Sequence, residues 1–280
     1  MADSSTTLAG PASGGARKLS PRKRRQLSLA AQSLVLVALL AILILTVDGS
    51  KIQKSFFDFK AAQNMFPALF TVALKNTIIY AVSAYVLGFV LGLILALMRL
   101  SSFAPYRWIS LAYIEIFRGL PALLVLMIIG FGLPIAFDGL QFPLDPYDKV
   151  AIGLGLVAAA YMAETFRAGV QAVPPGQLEA ARSLGMSHSR AMFSIVLPQA
   201  VRLVIPPLTN ELIVLFKDSS LVSVIGITLA GRELTKLGSD EAIKVANSTP
   251  FVVAGATYLL ITIPLGILVR RLEAKQRKSR

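Results

Sequence analysis

Residues able to do chemistry are few in this chain, and they fall mainly in two stretches. One is AVRLVIPPLTNELIVLFKDSS, where Asn210, Glu211, Lys217 and Asp218 interrupt a run of aliphatic side chains. A spacing of seven puts Asn210 and Lys217 on one helical face and Glu211 and Asp218 on another. Ionisable groups in such apolar surroundings are costly and usually face protein or a water-filled path. Two roles fit: contacts to a solute's charged groups along a path, or a buried polar network between helices, with Lys217 and Asp218 paired at a boundary. Glu164 and Arg167 stand one turn apart in an earlier apolar segment, open to an intrahelical ion pair or to a gating contact. The second stretch, EAARSLGMSHSRAMFSIVLPQA from Glu179 to Ala200, is polar and glycine-interrupted between two very hydrophobic segments.

Much chemistry is excluded. The chain has no cysteine and one histidine, His188, so disulfides and thiolate metal sites are absent and a histidine-based metal centre has little to work with. His188 lies among polar neighbours and reads as a surface residue. There is no H-E-x-x-H, no G-x-S-x-G and no acid cluster suited to catalysis, and no G-x-x-x-x-G-K-[ST] loop that could cradle ATP. No cofactor is expected.

The elements that must position these residues are membrane spans. The composition is 55% hydrophobic and 15% charged, with a mean hydropathy of +0.68, which marks a polytopic membrane protein. Crossing about 30 Å of hydrocarbon takes roughly 20 residues of helix. Six segments qualify: Leu29–Val47, Ile78–Met98, Ala122–Phe137, Val150–Ala168, Ala200–Phe216 and Phe251–Val269. The runs lack the alternation of a barrel, so an all-α bundle is expected. Within it, Gly88 and Gly92 offer close helix packing, either inside the chain or at a dimer seam.

The net charge of +13 reads as orientation rather than nucleic-acid binding, because the basic residues cluster beside apolar spans. Arg17 to Arg25 precede the first span and Arg270 to Arg280 follow the last. An even span count puts both ends on one side, together with the loops Arg99–Arg118 and Arg167–Arg202, which carry seven arginines. On the opposite side nine basic residues meet nine acids. Both termini are therefore expected in the cytoplasm. Residues 1–28 read as a disordered basic tail, and Leu29–Val47 as a retained anchor, too long and too poorly followed by small residues for a cleaved signal.

In the polar stretch, Pro174, Pro175 and Gly176 end one helix and a new one can begin near Gln177. Ala180 and Ala181 lie beside Leu184 at helical spacing, and Gly185 permits a left-handed turn before a second helix over Ser187–Val196, closed by Pro198. Such a helix–turn–helix could present a small-residue face to another protein or pack against its own membrane domain. Farther on, SSLVSVIGITLAGRELTKL is too interrupted to span and is expected as an outer amphipathic or re-entrant segment.

At these residues the sequence resembles a known family. Glu179, Ala180, Ala181, Gly185, Ile195, Leu197 and Pro198 match E-A-A, three residues, G, nine residues, I-x-L-P, the motif of permease subunits of bacterial ATP-binding-cassette importers. Longer stretches from about Thr71 to Glu273 are similar to the polar amino acid branch. The resemblance implies an importer-type permease of five core spans plus the front anchor, in the cell membrane. It assigns residues 29–70 to the anchor and an outer loop, 71–273 to the permease domain with a coupling loop over 170–198, and 274–280 to a basic tail. It implies as partners a cytoplasmic ATPase dimer that grips the loop, a second permease, the same or homologous, and an extracytoplasmic solute-binding protein. The substrate implied is a polar or charged amino acid, glutamate first, with glutamine, arginine and histidine close behind. Asn210, Glu211, Lys217, Glu164 and Arg167 are then the candidate path residues. The alternatives are a membrane-embedded enzyme and a self-sufficient ion-coupled carrier.

Overall fold

The computed structural model describes residues 21–46 and 48–278, and among these every regular element is helical. Residues 1–20, Val47 and the last two residues lie outside it, so most of the expected N-terminal tail does too. Two units are defined, residues 1–52 and 53–280. The first holds α1 (Pro21–Thr46), an apolar helix with exposed sides. It begins before the expected span, so residues 21–28, read as disordered from their polarity, are helical: lysine and arginine are good helix formers, and a proline at the first position suits a helix start.

After α2 (Gly49–Phe56), the second unit runs through α3 (Phe59–Ala68), a π-helical stretch Leu69–Leu74 and α4 (Lys75–Leu100). Then come α5 (Ala104–Gly119), α6 (Ala122–Met127), a π turn Ile128–Gly132 and the short α7 (Leu133–Ala136). The remaining helices are α8 (Tyr147–Gln171), α9 (Pro175–Ser183), α10 (His188–Ala191), α11 (Leu197–Asp218), α12 (Leu234–Val245) and α13 (Thr249–Lys278). Among the described residues, five helical runs are long and apolar enough to cross a membrane, and a sixth arises if the pair 104–119 and 122–136, bent by 102°, is one span. The expected third span, Ala122–Phe137, is thus the second arm of a bent pair, turned at Leu120 and Pro121, which are both extended. α13 runs to Lys278, so 274–278 continue the helix instead of forming a separate tail.

Pro198, expected to close a helix, does not. Pro198 lies in the first turn of α11, and α10, the π turn Met192–Val196 and α11 form one run. The wider π turn changes the hydrogen-bond register there, and the Gln199 amide donates to the Ile195 carbonyl at 2.9 Å. Pro206 and Pro207 both sit inside α11. Pro206 cannot donate to the Arg202 carbonyl four residues back. That carbonyl instead accepts from the Gln276 side chain of α13.

The most extensive packing is between α4 and α8. A Cβ on Gly88 would stand 2.8 Å from Ala158 Cβ, and one on Gly92 would stand 2.9 Å from both Ala159 O and Met162 Cβ. These glycines therefore serve packing inside the chain, settling that open question. On the far side of the bundle, α4 and α8 hold the segment before α12 through buried polar groups. Asn76 Nδ2 donates to the Ala230 and Arg232 carbonyls at 2.7 and 2.9 Å, and Tyr80 donates to Gly231 O at 2.7 Å. Tyr147 in turn donates to Asn76 Oδ1 at 2.8 Å. The fully buried Glu233 caps α12, accepting from the Thr235 and Lys236 amides and the Tyr258 hydroxyl. Burial pushes its carboxyl above the usual range against the opposing pull of those donors. The segment 219–233 is made of two 3₁₀ turns, Ser219–Val224 and Leu229–Gly231, and does not span.

Replacing Gly92 by leucine should separate α4 from α8 and cost about 1–3 kcal/mol, lowering the thermal midpoint of the purified protein. Gly119, with nothing within 4 Å of its would-be Cβ, should tolerate alanine without a shift.

Candidate functional site

The polar stretch folds as a separate short helix held by strong local signals. α9 starts at Pro175, two residues before the expected Gln177, because a proline's fixed φ and missing donor suit the first turn. It ends in a paired C-terminal motif: Met186 N donates to Ala181 O at 3.2 Å and Gly185 N to Arg182 O at 3.0 Å. Gly185 has φ +85°, the left-handed conformation that the motif requires. Ser187 then caps α10, accepting from Arg190 N.

The small residues of α9 do not share one free face. Glu179 and Ala180 are exposed, whereas Ala181 is 5% exposed. Nearby, Val173, Val196 and Ala200 form a cluster joined by Leu178 and Met192. α9 therefore packs on its own membrane domain by one side and is open on the other. Leu184, at the helix end, is 85% exposed. Sequence reasoning passed over it as a partner of the alanines; its signal was a large aliphatic residue placed directly before the left-handed glycine. Of the remaining motif residues, Ile195 is half-buried, while Leu197 and Pro198 are exposed at the start of α11.

The second site is a groove of about 390 Å³ between the α5–α6 bend, α8 and α11. Pro121, Leu154, Tyr161, Glu211 and Asp218 are among its walls. Glu211 and Asp218 thus share one cavity, as their spacing predicted, and no ion pair joins either to a base among the described residues. The Lys217–Asp218 ion pair, one of the two alternatives, is not among the ion pairs of the described residues. Asn210 and Lys217 are exposed on α11 and do not line the groove. Glu164 and Arg167 form an intrahelical pair, with Arg167 Nε 3.1 and 3.0 Å from the two carboxylate oxygens, and Arg167 also reaches Gln171. The ion-pair reading of these two residues is the one observed. Asp218 and Tyr161 are the polar-tipped wall residues outside the expected path set; Arg118 lies 5.6 Å from the Tyr161 ring centre.

A bundle of apolar helices with a bent pair, an acid-lined groove and a short polar helix packed outside the spans defines a membrane permease. Residues 88–278 match the family of binding-protein-dependent transport system inner membrane components, and the chain belongs to that family. It is 41% identical over 207 residues to a probable glutamine ABC transporter permease protein of Bacillus subtilis, covering 73% of this chain and 91% of that one. It is 35% identical over 222 residues to an arginine transport system permease protein of the same organism, covering 79% and 98%. A glutamate/aspartate import permease protein of Escherichia coli is also 35% identical, over 224 residues. Among solved structures, that of an amino acid ABC transporter with histidines superposes with a TM-score of 0.71 at 35% identity, covering 78% of this chain and 98% of that one. The chain is thus an ABC importer permease, a class in which ATP hydrolysis belongs to a separate subunit. The enzyme and self-sufficient carrier readings are set aside.

The two alanines make opposite predictions. Ala181→Glu buries a carboxylate without a partner and should destabilise the region by several kcal/mol, read as accelerated proteolysis between residues 172 and 190. Ala180→Glu should leave the cleavage pattern unchanged.

Proposed function

We propose that this chain is the translocation subunit of an amino acid importer in the cell membrane, coupled to a cytoplasmic ATPase through α9 and Leu184. The observation that carries this reading is the exposed aliphatic Leu184 beside a rigid left-handed cap, on a helix anchored to the spans by its other side. A partner that grips Leu184 and the open side of α9 moves that helix as a body. Because α10, the π turn and α11 are continuous, the displacement is passed into a span. Glu179, Ala180, Gly185, Ile195, Leu197 and Pro198 form this coupling segment, with Ala181 as its internal packing residue. The charge distribution favours both termini, and hence α9, on the cytoplasmic side. The other partners are a second permease copy or homologue and a solute-binding protein outside.

The groove supports a substrate preference. Two carboxylates that make no ion pair among the described residues favour a ligand that presents positive charge, such as an amino acid's ammonium group or a cationic side chain. Glutamate, the first choice from sequence, would set its side-chain carboxylate against Glu211 and Asp218. At 4 Å and an effective dielectric of about 20, one such repulsion is of the order of 4 kcal/mol. Arginine or histidine suits the groove better, and glutamine stands between. On this reading Glu211 and Asp218 contact solute, while Asn210, Lys217, Glu164 and Arg167 act at the margins of the path.

Two measurements test these readings in proteoliposomes containing the assembled transporter. Leu184→Asp and Gly185→Val should each reduce ATP-driven uptake at least tenfold, an effect of about 1.4 kcal/mol or more, with membrane insertion unchanged; uptake at the wild-type rate would refute the coupling role. Glu211→Gln combined with Asp218→Asn should depress arginine uptake far more than glutamate uptake. Equal losses for both solutes would remove the charge preference.

A further inference from the structure

We propose that the cleft between the start of α11 and the end of α13 binds the headgroup of an anionic phospholipid. This goes beyond transport and coupling and does not depend on which solute is carried. The cleft has a volume of about 430 Å³ and is lined by Arg202, Ile205, Leu272, Lys275 and Gln276. Its walls are held together by a specific bond, because the carbonyl of Arg202, deprived of a helical donor by Pro206, accepts from the Gln276 amide. The backbone defect in one helix therefore fixes the end of the other beside it.

The lining is chemically divided. Arg202 and Lys275 are exposed, and neither has a carboxylate partner among the described residues. Glu273, the one acid in the last two turns of α13, does not line the cleft. Two like charges held on one cavity without a counter-ion favour an anion. The rest of the wall is aliphatic: Ile205 is 41% exposed and Leu272 half-buried. This mixture lies where α13 passes from the apolar run PFVVAGATYLLITIPLGILV to RRLEAKQRK, the boundary between hydrocarbon and water. A phosphodiester with acyl chains satisfies both halves, the phosphate between the two bases and the chains over the aliphatic wall. A free phosphate would leave that wall wet. An adjoining cavity of about 600 Å³ shares Arg202 and Gln276 and extends to Pro174 and Gln177 at the start of α9, so a lipid here adjoins the coupling segment.

The test uses the permease purified with its ATPase, in vesicles of phosphatidylcholine alone or mixed with phosphatidylglycerol. Photoactivatable probes of the two lipids carry the same reactive group. The phosphatidylglycerol probe should label peptides containing residues 202–205 and 272–276, and the phosphatidylcholine probe should not. Unlabelled phosphatidylglycerol should chase that label in the wild-type protein, a result independent of any variant. Arg202→Gln and Lys275→Gln should each reduce labelling roughly fivefold, the effect of one basic group at a lipid surface, while Arg202→Lys retains it. Equal labelling by both probes, unchanged labelling in the double glutamine variant, or displacement by excess inorganic phosphate would each overturn the proposal. Labelling is read without solute or nucleotide, so it stands or falls apart from the transport reading.

Discussion

Within hydrocarbon no water is at hand to pair a stranded carbonyl, so each proline in an apolar helix obliges another group to supply the missing donor or the helix to change its register. That constraint runs through this chain. At Pro198 the π turn Met192–Val196 shifts the register, with Leu197 N donating to Met192 O, and at Pro206 a donor comes from Gln276 on another helix. The first makes a single rod of the polar stretch and α11; the second ties the start of α11 to the end of α13.

The same economy governs the interior. α4 and α8 approach so closely at Gly88 and Gly92 that even a methyl group would collide with the facing backbone or Cβ, and this contact gives α11 a firm surface on which to pack. Where polar side chains are buried, their partners are mostly main-chain groups, some within helices and some in the stretch leading into α12. Asn76 and Tyr80 hold the carbonyls of residues 230–232, and Glu233 holds the first amides of α12. Polar atoms that would be liabilities elsewhere thus organise the non-spanning part of the bundle, leaving α11 free to carry the acid pair facing the groove.

The family, the helical class and the short helix with its glycine turn were legible because they depend on local pattern. A left-handed position strongly favours glycine, and the G of the spaced motif falls at Gly185, with φ +85°. Span length depends on hydrophobic run length, so the five apolar runs could be read directly. The groove was only half legible. Its two carboxylates share a face because they are seven residues apart, but Tyr161 and Pro121 come from other elements, and sequence spacing carries no information about which helices meet.

The sequence by itself determined a multi-helix membrane chain, the position of its turn at Gly185 and the clustering of basic residues beside its apolar runs, since each follows from local propensity, apolar run length or charge placement. Only the tertiary structure decided that Ala181 turns inward while Leu184 is left open, that Glu164 and Arg167 satisfy each other, and that the prolines of α11 are absorbed without a break. The physical reason is the same in all three cases: burial and hydrogen-bond pairing are properties of neighbours in space, and a helix presents several faces among which the sequence alone does not choose.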